Sequence, residues 1–257
     1  MRIKIALRNL FISQIIIILF LVFAYLMWFP YSYSLLGGFH KTALMLVLVD
    51  IVLGPLLVFI VYKKDKKYLT FDINVLLSIQ LAAFVYGAHA LYLKHPVYNV
   101  FVDDRFKLVN VSYTSPDEIR FESLKTSFFT KPKMAYTELP SDLTERTQFM
   151  LGVDLFGDRD IDQRADLYQP HIQALDKILD RQLNPSILFS SNENESKLKK
   201  FIKKHGGSIS DYAFFPISGN NQKEAIFAMN NKNGEAVGII DMNPKLKLAK
   251  LNDITLD

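Results

Sequence analysis

One apolar segment, residues 42–62 (TALMLVLVDIVLGPLLVFIVY), constrains the fold of this chain more than any other stretch. It is long enough to cross a lipid bilayer as a helix, yet it contains one acidic residue, Asp50, and a Gly54-Pro55 pair near its middle. A carboxylate at that depth costs roughly 2.5 kcal/mol or more unless it faces a polar partner or a wet cavity. We therefore expect Asp50 to have a functional partner, and we expect Pro55 to bend the helix because it leaves one backbone carbonyl unpaired.

Charge divides the chain into two parts. Residues 1–94 hold nine Lys and Arg against three Asp and Glu, whereas residues 95–257 hold 21 against 23. The net charge of +4 therefore belongs to the flanks of apolar segments, and it does not indicate a protein that binds nucleic acid. We predict a membrane domain over residues 1–94 and an extracytoplasmic α+β domain over residues 95–257.

Two further apolar runs, residues 11–29 and 75–93, predict an N-terminal bundle of three transmembrane helices. No small-residue cleavage site follows the first run, so we expect it to remain as an anchor. Basic residues precede the first run and recur at positions 63–67, whereas the loop between the first two runs has only Lys41. Because positive residues favour the cytoplasmic side, the N-terminus is predicted to be cytoplasmic. In a bacterium, the C-terminal domain would then lie in the periplasm, outside a multi-pass bundle.

The third apolar run also contains residues that are unusual in a membrane, namely Gln80, Tyr86, Gly87 and His89. The rise of a helix places Tyr86 and His89 at nearly the depth of Asp50, so a hydrogen bond to either is expected. Gly87 would let two helices approach closely. Two interpretations remain open: these residues join the second and third spans, or Asp50 is reserved for a helix of another protein.

Local patterns in residues 95–257 alternate between strands and helices. The clearest is a hairpin in which two apolar runs flank an Asn-Lys-Asn-Gly turn at residues 231–234. Further strands are predicted within residues 97–113, around an Asp-Asp-Arg turn, and at 134–139 and 212–217. Helices are predicted at residues 116–124, 141–156, 172–179 and 195–204.

A search for reactive groups finds no catalytic motif, so we expect a protein that is not an enzyme and that needs no cofactor or metal. Asp158, Asp160 and Asp162 imitate the start of a calcium-binding loop, but Gln163 stands where that loop requires glycine. The lysines of residues 197–204 are interpreted as the solvated face of a helix rather than as a lipid-binding or nucleic-acid-binding surface.

Three stretches, HKTALMLVLVDIVLGPLL, IQLAAFVYGAHALYLKHPV and YNVFVDDRF, together resemble the TfpX/TfpZ type IV pilin accessory proteins. The resemblance covers roughly residues 35–110. It implies an inner-membrane protein that is needed for efficient assembly of a cognate pilin into pili. The resemblance is carried by the ordered pattern Asp50, Gly54, Pro55, Gln80, Tyr86, Gly87 and Pro96. The expected partner-binding residues are Asp50, Gly54, Pro55, Gln80, Tyr86, Gly87 and His89.

The resemblance leads to a chaperone-like hypothesis. The three spans would hold the transmembrane helix of the major pilin within the lipid bilayer, the outer domain would contact the pilin's globular head, and the pilus assembly machinery would be a further partner. Two alternatives are kept. A membrane enzyme that modifies the pilin would use Asp50 and His89 in catalysis, whereas a ligand-sensing receptor would need a cytoplasmic output module, which the sequence does not show.

Overall fold

The computed structural model describes residues 2–30, 33–61, 69–189, 191–219 and 223–243. Over these ranges it has three long apolar helices near the N-terminus and a mixed sheet near the C-terminus. The chain is therefore a membrane protein with a three-helix N-terminal part and a C-terminal α+β domain, as the sequence predicted. The lysines at positions 63–67, on which the predicted orientation depends, lie outside the described residues.

The helices and strands of the described ranges are as follows. The α-helices are α1 (Arg2–Met27), α2 (Tyr33–Leu36), α3 (Phe39–Val61), α4 (Leu69–Leu93), α5 (Leu143–Leu151), α6 (Leu175–Leu179), α7 (Pro185–Leu188) and α8 (Asn192–His205). The strands are β1 (Pro96–Val102), β2 (Arg105–Asn110), β3 (Lys133–Tyr136), β4 (Gln169–Pro170), β5 (Tyr212–Ser218), β6 (Glu224–Asn230) and β7 (Ala236–Ile240).

Helices α1, α3 and α4 contain the apolar segments Leu10–Met27, Phe39–Leu56 and Asn74–Leu93, each long enough to cross a membrane. These segments overlap the predicted spans, and α1 and α4 begin before their segments while α3 continues beyond its own to Val61. Within the chain, 33% of the α3 segment is buried, against 11% of each of the other two. Helix α3 therefore lies between α1 and α4, and the outer faces of all three helices remain for lipid or for another protein.

The connection between α1 and α3 is packed against the sheet. Leu36 is 1% exposed and belongs to the sheet's apolar core, and the Tyr33 hydroxyl accepts a hydrogen bond of 2.6 Å from Asn99 Nδ2 on β1. The Leu36 backbone also lies so close to Gly219 that a Cβ atom there would overlap it. This contact joins the helices to the sheet.

The sheet has the strand order β4-β3-β1-β2-β5-β6-β7 over the described residues. Only two residues separate the end of α4 from the start of β1, so the third span leads directly into the sheet. Strand β1 is parallel to β3, and β2 is parallel to β5, whereas the remaining neighbours are antiparallel. The predicted hairpin is confirmed as β6 and β7, with Gly234 at a φ of 69°.

Three of the predicted helices differ from those observed. The helix predicted at 172–179 is a 3-10 turn, His171–Ala174, followed by the short α6. Residues 116–124 form two separate 3-10 turns, Pro116–Glu118 and Glu122–Leu124, rather than one helix. The helix predicted over 141–156 is α5 followed by a π-helical turn, Gly152–Phe156, and it ends at Gly157 with a φ of 72°. Asp142 caps α5 by accepting hydrogen bonds from two backbone amides of its first turn.

Both faces of the sheet are buried, because residues of the longer strands are divided between two apolar layers. One layer lies beneath α6 and also contains Leu36. The opposite layer has two parts, one beneath the segment 119–168 and one beneath α7 and α8. The largest side chains with at most 1% exposure in the first layer are aromatic: Phe101, Phe106, Phe215 and Phe227.

Candidate functional site

The carboxylate of Asp50 is held by the first span. Its Oδ2 atom accepts hydrogen bonds from Ser13 Oγ at 2.6 Å and from Gln14 Nε2 at 2.8 Å, both on α1. The expected hydrogen bond to His89 or Tyr86 on α4 is therefore not what the structure shows. The reason is geometric: helix rise sets the depth of a residue in the membrane, but not the side of the helix on which it lies.

Gln80, on α4, places a further polar side chain in the interior of the bundle. Its Nε2 atom is buried with no hydrogen-bond partner in the described part of the chain, and it lies 3.1 Å from the position that a Cβ atom on Gly54 would occupy. Gly54 therefore leaves room for the amide of Gln80. We call Ser13, Gln14, Asp50, Gly54 and Gln80 the polar layer.

The polar layer lies deep in the bundle. Its members are 11 to 15 residues from the ends of α1, α3 and α4 that adjoin the sheet, or about 16–22 Å along the helix axes. A bilayer core of about 30 Å has its midplane about 15 Å from either edge, so the layer lies close to that plane. Polar groups at this depth stabilise particular helix neighbours, because lipid offers no substitute hydrogen bonds.

The remaining predicted residues have different surroundings. A Cβ atom on Gly87 would overlap the side chain of Leu46 on α3, so Gly87 permits the close approach that the sequence predicted. Pro55 lies inside the continuous helix α3. Tyr86 is 77% exposed and His89 is also exposed, and they are directed away from α1 and α3. The structure therefore separates the predicted site into an interior part and an outward part on α4.

A cluster of aromatic rings lies where the helices meet the sheet, and the sequence did not indicate it. The Trp28 ring stacks on His95 at 5.8 Å between centroids, and its Nε1 donates a hydrogen bond of 3.2 Å to the Phe128 carbonyl. Tyr92 packs on both Trp28 and Phe128. Burial lowers the pKa of His95 to about 4, although the Thr130 backbone acts in the opposite direction. A neutral, buried His95 thus forms part of this junction.

The three aspartates that imitate a calcium loop serve a different purpose. Lys107 Nζ donates to Asp160 at 2.8 Å and to Asp162 at 2.7 Å, so an ammonium group occupies the space between the two carboxylates. Burial opposes ionisation of Asp160, but Lys107 outweighs it and lowers the pKa of that carboxyl. Burial dominates at Asp162 and raises its pKa. Residues 158–162 therefore attach a surface segment to β2.

The fold and the site define a class of protein: a membrane protein with three long apolar helices and a sheet domain that packs on the connection between the first two of them. The chain is similar to fimbrial assembly proteins of Dichelobacter nodosus. It is 27% identical to the serogroup I protein over 208 residues, which are 78% of this chain and 79% of that protein. Against the serogroup E1 protein it is 26% identical over 209 residues, again 78% of this chain and 79% of the relative.

A third relative is the fimbrial assembly protein of Dichelobacter nodosus serogroups C1 and C2. This chain is 32% identical to it over 97 residues, which are 37% of this chain and 74% of the relative. No protein-family model matches the chain, and no solved structure is similar to it. On the strength of these relatives, the chain belongs to the family of fimbrial assembly proteins.

Proposed function

We propose that this protein is a TfpX/TfpZ-type accessory protein of a bacterial inner membrane, which binds a cognate type IV pilin and promotes its assembly into pili. One observation carries the proposal: two fimbrial assembly proteins match 78% of the chain. The predicted outer domain, residues 95–257, is 163 of the 257 residues, about 63% of the chain, so the match extends into the membrane part as well. In this proposal the N-terminus is cytoplasmic, the outer domain is periplasmic, and the protein is not an enzyme.

The division of the predicted site suggests how a pilin helix would be held. The polar layer, with Gly87 and Pro55, shapes and positions the bundle, because its hydrogen bonds and close contacts are made within the chain. Tyr86 and His89 are the outward members, and polar groups on a lipid-facing surface favour a protein partner over lipid. We infer that the pilin's transmembrane helix packs on α4 at these residues, while the outer domain contacts the pilin's head.

Cross-linking from α4 tests this arrangement. A photoreactive amino acid is placed at position 86 in native membranes, and a matched variant carries it at position 19, where Leu19 is 65% exposed on α1. We expect the major pilin to be cross-linked from position 86 and not from position 19. Pilin captured equally from both positions, or captured from neither while another membrane protein is enriched, would refute a binding face on α4.

Genetics separates the roles of the two parts. Asp50→Ala is expected to lower piliation while the protein stays in the membrane, and normal piliation in that strain would remove Asp50 from the proposal. Exchange of residues 97–257 for those of a relative should switch the pilin that is served.

The pilin should have the same mass with and without this protein, since a mass change that disappears on deletion would instead indicate a pilin-modifying enzyme.

A further inference from the structure

A groove of about 550 Å³ runs along the outermost strand of the sheet, and the proposed function does not use it. One side is formed by residues 236–241, which are β7 and the residue after it, and the other side by α8. Pro30 and Tyr33, from the segment that follows the first span, also line it. The groove therefore borders the connection between the first span and the rest of the chain.

The lining of the groove combines apolar walls with a basic rim. Phe201, Val237 and Ile239 supply apolar surface. The basic side chains are Lys131, Lys197, Lys200, Lys204 and His205, against a single acidic one, Asp241. A surface that is both apolar and cationic is suited to an amphipathic anion rather than to a small soluble anion.

The surroundings of the groove resemble the boundary of a membrane. Pro30 comes three residues after Met27, the last residue of the first span. The loop that leads to Lys131 carries Phe128 and Phe129, which are 44% and 59% exposed. Exposed aromatic rings next to lysines are typical of segments that rest in the lipid headgroup region.

Helix α8 has lysines on two faces, and only one face borders the groove. Lys197 and Lys200 line the groove, whereas Lys199 and Lys203 line only a neighbouring hollow, which Lys200 also borders. The sequence interpretation of this run as a solvated face fits the second pair. The first pair has apolar walls beside it and the end of a span nearby.

We propose that this groove binds an anionic phospholipid, with its phosphate among Lys131, Lys197 and Lys200. One acyl chain would lie along the apolar wall of β7, toward the end of the first span. The lipid is preferred to free phosphate because free phosphate makes no use of the apolar walls. It is preferred to an acidic peptide because the groove borders the segment that leaves the membrane, within reach of lipid headgroups.

Two double variants of one helix provide a matched test. Lys197→Gln/Lys200→Gln removes two charges from the groove, and Lys199→Gln/Lys203→Gln removes two from the neighbouring hollow. Each breaks one ion pair between residues four apart, Lys197 with Glu193 or Lys199 with Glu195. Thermal unfolding of both variants shows whether either has lost its fold.

The measurement is native mass spectrometry of the full chain released from nanodiscs that contain equal amounts of phosphatidylglycerol and phosphatidylcholine. We expect the wild type and the Lys199→Gln/Lys203→Gln variant to retain phosphatidylglycerol at least fivefold over phosphatidylcholine, on the order of 1 kcal/mol of preference. The groove variant should lose most of this preference.

Three outcomes would overturn the proposal. The first is equal retention of the two lipids by the wild type, and the second is an equal loss in both double variants. The third is displacement of phosphatidylglycerol by millimolar inorganic phosphate or by an acidic peptide, since either would assign the groove to a soluble anion or to a protein partner.

Discussion

The helical bundle and the sheet domain are stabilised by different forces. Most side chains of α1 and α4 are exposed, and only 11% of the Leu10–Met27 segment of α1 is buried within the chain. In the sheet domain, Phe101, Phe106 and Phe227 are at most 1% exposed, and the Phe106 and Phe227 rings are 4.5 Å apart. Burial of apolar surface stabilises a fold only where the alternative is water, so it acts strongly in the domain and weakly in the bundle.

This difference determines which residues matter in each part. In the domain, a large apolar side chain contributes in proportion to its buried area, so the core phenylalanines carry the largest free energies. In the bundle, lipid replaces apolar contacts at little cost, and the neighbours of a helix are set by a few close or polar contacts. Gly87 and Asp50 make such contacts. Mutations in the domain should therefore have larger effects than mutations in the bundle.

The largest effect is expected for Phe227→Ala. The side chain is fully buried in the apolar layer beneath α6, and its loss should lower the free energy of unfolding by about 3–5 kcal/mol, because a cavity remains. Pulse proteolysis of the full chain in urea measures this value. Phe156→Ala removes a phenylalanine that is 82% exposed and should change it by less than about 0.5 kcal/mol. Similar values for the two variants would contradict the core assignment.

The junction between the two parts should be sensitive to acid. The folded-state pKa of His95 is about 4, below its ordinary value of 6.5, so the folded protein favours the neutral ring. The part of the unfolding free energy that depends on a neutral His95 is fully present above pH 6.5. It decreases by up to about 3 kcal/mol as the pH falls toward 4. Unfolding free energies measured from pH 7.5 to 4 should fall more steeply for the wild type than for His95→Phe. Parallel curves would show that His95 does not titrate in this way.

Gly87→Val should have a smaller effect, and one confined to the bundle. The added side chain overlaps Leu46, and overpacking of this kind costs about 1–3 kcal/mol. Unfolding in bicelles by steric trapping measures the cost, with Ala82→Val on an exposed position of α4 as the control. Leu46→Ala in the same chain should restore part of the loss. An equal effect at positions 82 and 87 would mean that α3 and α4 do not pack at Gly87.

The sequence predicted what depends on local patterns. The three apolar helices, the end of a helix before Gly157 and the hairpin turn at Gly234 follow from neighbouring residues, and the structure confirms them. It did not predict that Leu36, in a short loop between two spans, belongs to the core of a distant sheet. That contact depends on tertiary packing, for which a single sequence has no periodic signal. The grouping of Lys131 with lysines of α8 was not predictable for the same reason.

The partner of Asp50 separates the sequence expectation from the structure most directly. A double-mutant cycle between Asp50→Leu and Gln14→Leu should give a coupling free energy of about 0.6–1.7 kcal/mol, the usual range for one hydrogen bond between membrane helices. The matched cycle between Asp50→Leu and His89→Leu should give a coupling near zero, since the carboxylate contacts α1 and not α4. Both cycles use the same unfolding assay in bicelles. Coupling to His89 rather than to Gln14 would place the carboxylate between the second and third spans, as the sequence first suggested. His89 would then belong to the interior of the bundle and not to its outward surface.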